Sequence, residues 1–124
     1  MQKTPFLNTL FRSVLEQDRA PVVICDLNSV IRYMNPASIA YYGRDLTGTD
    51  LNRCHKPDSR RKIQQVLSWF SQSPEHNLVY TARDDAEDKD IYMVALRDDT
   101  GNLIGYYEKH EYRARETCPF YDLS

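Results

Sequence analysis

The adjacent pair Cys54-His55 is the densest chemistry in the chain, a thiol beside an imidazole. An imidazole can ligate a haem iron or hydrogen-bond a polar ligand group, and a thiolate is the softer alternative. The pair is not a zinc site, because zinc takes four ligands and no second pair stands at ligand spacing. The bland alternative is that His55 caps a helix start or faces water. His76 and His110 fall in expected strands and read as exposed strand positions. Asn35 precedes Pro36, so its amide suits a helix N-cap, a contribution of roughly 1 kcal/mol. Asp26 ends an apolar run and suits backbone N–H groups of the turn that follows. The carboxylates between Asp84 and Asp90 sit in an expected turn and read as solvated. No GxSxG, HExxH or phosphate loop is present, and the chain reads as a non-enzyme.

These residues need elements to hold them. Thr4-Pro5 has the form of a helix opening, and Phe6, Leu7, Leu10, Phe11, Val14 and Leu15 recur as one apolar stripe until Pro21 forces a stop. Pro21 to Leu27 and Val30 to Met34 read as strands joined at Asn28-Ser29. A short helix, Ala37 to Tyr42, follows Asn35-Pro36 and ends at Gly43. Arg44 to Pro57 reads as irregular. Asp58 or Ser59 caps the next helix, whose apolar face is Ile63, Val66, Leu67 and Phe70. Three strands close the fold: His76 to Arg83, Asp90 to Arg97 and Leu103 to Arg113, with a hairpin turn at Asp98 to Asn102. Strands joined by short turns pair antiparallel, and the helical middle must cross one sheet face to bury its stripe.

The expected floor under the long helix is Leu78 and Tyr80, then Met93 and Ala95, then Gly105 and Tyr107. The candidate ligand-pocket residues are therefore Cys54, His55, Ile63, Val66, Leu67, Phe70, Tyr80, Met93 and Tyr107. Spacing alone fits a filled core as well as a cavity. The stripe of Phe6, Leu7, Leu10, Phe11 and Val14 either packs on the outer sheet face or meets its twin in a homodimer, and the second arrangement is favoured here.

The stretch VVICDLNSVIRYMNPASIAYYG resembles the opening of PAS domains: a strand ending in Asp26, then Ile31 and Tyr33, Asn35-Pro36-Ala37, and Gly43 after a short helix. Leu46-Thr47-Gly48 with Leu51, and Asp99 to Gly105, resemble the family's later motifs. LNRCHKPDSRRKI is similar to a bacterial subgroup with a Cys-His pair before the long helix. The resemblance implies an α+β fold, a PAS-like five-stranded antiparallel sheet with helices over one face, preceded by an extra N-terminal amphipathic helix. The implied division is a helix over 1–20, a PAS domain over 21–113 and a tail over 114–124. It also implies a sensory or regulatory module that binds a small ligand or mediates protein association. A haem on His55 is one alternative and a ligand-free dimerisation module another. Flavin is not expected, because Asn52-Arg53-Cys54-His55 lacks the Phe-Leu-Gln continuation of the flavin-binding branch. Nor does the chain have the family's usual Asp-Gly turns, with Asn28-Ser29 in the first of those places.

Bulk composition bounds the rest. The 124 residues, 41% hydrophobic and 27% charged, suffice for one domain with one core. A formal net charge of -2 gives no electrostatic footprint for nucleic acid. Arg60, Arg61 and Lys62 read as a solvated helix face. No apolar run spans a membrane, and the first residues lack the core of a signal peptide, so a cytoplasmic location is expected. The three cysteines are widely spaced and form no CxxC pair. No output domain fits beside the fold, so a signal would pass to an unidentified partner protein.

Overall fold

The computed structural model describes residues 3–124, with side chains except at Lys3, Thr4 and Cys54. The elements in order are α1 (Lys3–Gln17), β1 (Val22–Asp26), β2 (Ile31–Met34), α2 (Pro36–Tyr42), α3 (Leu51–Cys54), α4 (Pro57–Gln72), β3 (Leu78–Asp84), β4 (Lys89–Arg97) and β5 (Leu103–Tyr112). The strands form one five-stranded sheet in the order β2-β1-β5-β4-β3, every neighbouring pair antiparallel. The expected α+β architecture is the observed one.

Asn35 knits the first half together. It is fully buried, and its Oδ1 accepts from the backbone N–H groups of Val22 and Ser38, both at 2.9 Å. Its Nδ2 donates to the carbonyls of Leu15 at 2.9 Å and Ala20 at 3.0 Å. One amide therefore caps α2, aligns β1 and receives the end of α1. Asp26 accepts from the N–H groups of Asn28 at 2.9 Å and Val30 at 3.1 Å. That turn holds Ser29 at φ 61°, the left-handed conformation for which glycine is the usual residue. The second strand accordingly starts at Ile31, and Val30 bridges to Asp50 instead.

Three expectations about helices are corrected. α1 already includes Lys3, so Thr4 is not its cap. The segment Arg44 to Pro57 is not all irregular: Asp50 accepts from the N–H of Asn52 and caps α3. α4 begins at Pro57, ahead of Asp58 and Ser59; Lys56 sits at the N-cap with no side-chain bond, and the fixed φ of Pro57 starts the helix.

The core lies between α4, with α2 and α3, and one face of the sheet. Val23, Cys25, Ile31, Met34, Leu67, Phe70, Met93 and Tyr106 form it, flanked by Ile63, Val66, Val79 and Ala95. Met93 and Ala95 take the expected phase on β4, whereas the flanking strands take the opposite one. On β3, Val79 faces the core while Leu78 and Tyr80 are exposed, and the register shifts between Tyr80 and Ala82. On β5, Tyr106 is buried and Tyr107 lies on the outer face. Gly105 explains why: a Cβ there would stand 2.4 Å from the Cys25 carbonyl oxygen, so only glycine lets β5 approach β1 at that point.

Candidate functional site

Between α3, the start of α4 and the sheet lies a cleft of about 370 Å³. Its roof is Leu51, His55, Ser59, Lys62, Ile63 and Val66, and its floor is Val23, Cys25, Thr81, Ala82, Ile91, Met93, Tyr106 and Glu108, with Tyr42 at one side. The volume falls near the low end of the range for small-molecule sites. Of the residues singled out from sequence, the structure brings His55, Ile63, Val66 and Met93 together here. Leu67 and Phe70 are deeper, 7% and 0% exposed, and belong to the core; neither lines this cleft. Tyr80 is not in the cleft; it sits on the outer sheet face and donates to Asp90 at 2.8 Å. Tyr107 is likewise absent from it, replaced by its neighbour Tyr106. Cys54 belongs to α3, but its side chain lies outside the described residues.

The polar wall of the cleft was not anticipated. The Glu108 carboxylate takes two donors on one oxygen: the Tyr42 hydroxyl and, at 2.6 Å, the Nε2 of His110. The His110 side chain is fully buried and its Nδ1 has no partner among the described residues. A proton on Nδ1 would be an unsatisfied buried donor, so the tautomer that fits carries its proton on Nε2 and donates it to Glu108. Burial, followed by the charge of Glu108, holds the Tyr42 phenol well above its ordinary pKa. Burial also pushes the Cys25 thiol up to about 11, so it stays protonated and is no nucleophile at neutral pH. The signal for this wall was present in β5, where Tyr106, Glu108 and His110 alternate. Choosing the opposite phase hid it.

Beside this wall, Lys89 is completely buried, its Nζ 3.7 Å from the centre of the Tyr41 ring and 3.6 Å from Glu87 Oε1. The Tyr41 hydroxyl donates to Asp84 at 2.7 Å. That bond, with burial and the Asp84 charge, raises the Tyr41 phenol to about 12. Two consecutive tyrosines at the end of α2 thus fasten that helix to two carboxylates of the sheet, Asp84 and Glu108.

A larger groove of about 700 Å³ runs along the far end of α4 past Arg97 and the Asp98–Asn102 turn. Its one cation has structural work: Arg97 donates to Asn77 Oδ1 and to the carbonyls of Phe70, Ser73, His76 and Gly101. Among the described residues no cluster of three His, Cys, Asp or Glu side chains is placed to hold a metal ion. Nor, among them, is any helix long and apolar enough to cross a membrane.

No protein-family model and no curated protein sequence matches the chain. Solved structures do. The PAS domain of a protein from Colwellia psychrerythraea superposes with a TM-score of 0.63 at 14% identity, covering 86% of this chain and 97% of that one. The PAS domain of Bordetella pertussis BvgS gives a TM-score of 0.62 at 15% identity, covering 88% of each chain. The Aer2 receptor of Vibrio cholerae, described as a dual PAS-haem oxygen sensor, gives 0.50 at 19% identity, covering 73% of this chain and 91% of that one. The chain has the PAS fold, as its motifs suggested.

Proposed function

We propose that this PAS-fold chain is a non-catalytic sensory domain that binds a small molecule in the cleft beneath α4 and passes the event to a partner protein. The observation that carries this is the cleft itself, lined by apolar side chains from α3, α4 and four strands, with one convergent polar wall. A packed interaction module would have filled that space. Ligand binding between α4 and the sheet would favour one placement of α4 over another, provided its affinity for the two placements differs. α1 is the natural output element, because Phe6, Leu7, Leu10, Phe11 and Val14 are all exposed, from 45% to 69%. In a second copy they would meet their own counterparts, so we propose a homodimer as the signalling unit.

A haem is not favoured. The cleft is about two and a half times the size of a cavity that holds one benzene, and a haem has four pyrrole rings to accommodate. His55 stands exposed at the mouth, so an iron bound there would lie outside the enclosed volume.

Native mass spectrometry of the purified chain tests the sensory role. The expected species is a dimer carrying additional mass of small-molecule size, lost on mild activation. A bare chain that stays bare when offered cell extract of small metabolites would speak for a ligand-free interaction module.

A further inference from the structure

We propose that the cleft selects a small apolar molecule bearing a protonated amine, with its ammonium group against Glu108 between the rings of Tyr42 and Tyr106. The selection presupposes the small-molecule role proposed above and adds the chemical class of the ligand.

Three features point to a cation. The first is a carboxylate beside apolar walls: Glu108 lines the cleft with Val23, Ile91 and Met93, its side chain 31% exposed, while Ser59, Lys62, Thr81 and His55 supply further polar lining. Both hydrogen bonds it receives from described residues fall on Oε1, leaving Oε2 without a partner among them. The second is that the phenol among its donors is neutral: Tyr42 holds its proton and adds no positive charge beside the carboxylate. The third is aromatic. Tyr42 and Tyr106 line the same space, and aromatic rings beside a carboxylate are surroundings that suit ammonium groups.

The neighbouring charges agree. Lys89 is a buried cation nearby; its Nζ lies over the Tyr41 ring and 3.6 Å from Glu87 Oε1, with no hydrogen-bond partner among the described residues. Asp84 and Glu87 add two further carboxylates on that side of α2. Lys62 and His55 at the mouth are exposed, and a charge in bulk water acts about fourfold more weakly at a given distance than one near a protein surface. They do not reverse the sign of the interior. The cleft volume, about two and a half times that of a benzene-sized cavity, limits the apolar part to about two ring-sized groups.

The test uses ligands matched in shape: 2-phenylethylamine, 3-phenylpropionate and 2-phenylethanol, with a second set built on cyclohexylmethylamine. Each is titrated into the full chain by calorimetry. The amine should bind about tenfold tighter than its acid and alcohol counterparts, the worth of one charge-assisted hydrogen bond. Glu108→Gln should abolish that preference. An acid that binds as well as the amine, or an amine preference that survives Glu108→Gln, overturns the assignment while leaving the cleft a ligand site. Absence of saturable binding by any member overturns both. Should Glu108→Gln fail to fold, Tyr42→Phe keeps the carboxylate and removes one donor; the amine preference must persist in it, and its loss contradicts the assignment.

Discussion

Asn35 is where the largest structural consequence hangs on the fewest atoms. Its side chain satisfies two backbone donors and two carbonyls contributed by α1, β1, α2 and the segment before β1, with no exposure to water. Alanine at this position would strand the buried Val22 and Ser38 donors and remove a partner from two half-buried carbonyls. Each buried unsatisfied group costs about 1–3 kcal/mol, so Asn35→Ala should destabilise the fold by roughly 3 kcal/mol or more, measured by urea unfolding. Asn35→Asp keeps the acceptor that caps α2 but places a carboxylate against carbonyl oxygens. It should recover only part of the loss. A loss below about 1 kcal/mol for the alanine variant would reduce Asn35 to an ordinary helix cap.

At the level of elements, apolar spacing and turn chemistry made every strand and the two long helices legible. The phase of β3 and β5 was not. On β3 the run Leu78-Val79-Tyr80 is apolar throughout, so alternation gives no preference, and the bulge that follows moves Ala82 out of step. On β5 the consecutive Tyr106 and Tyr107 are equally ambiguous. The choice falls to Gly105, whose missing Cβ admits the β1 backbone, and to the Tyr106 hydroxyl, which donates to buried Ser29 at 2.9 Å. Neither contact is local in sequence, and the polar wall of the cleft was missed with them. Ile63, Val66 and Met93 were legible because they sit on elements whose face a regular stripe determines; His55, in the bend between α3 and α4, was singled out by its chemistry alone. α1 carries an element-scale prediction. Its apolar stripe is exposed, so Phe6→Glu with Phe11→Glu should leave the melting behaviour of the fold within about 0.5 kcal/mol. The same pair should shift sedimentation from dimer to monomer. A double variant that remains a dimer would move the interface elsewhere.

The whole molecule has one sheet with its core on a single face and its polar loops at the β-hairpins, and it carries a net charge of -2. Nothing in that arrangement distinguishes a sensor from a scaffold except the cleft beneath α4. Its walls join the helical layer to the sheet, so an occupant would touch both layers at once, and α2, fastened through Tyr41 and Tyr42, borders the same space. The direct measurement is methyl NMR of the full chain during titration with a diverse set of small molecules. Saturable shifts are predicted at Ile63, Val66, Ile91 and Met93, with Ile104, exposed on β5, unmoved. Cleft methyls that stay fixed up to about 1 mM of every compound, a binding free energy of about −4 kcal/mol, would contradict a ligand-binding role and leave the chain as an interaction module.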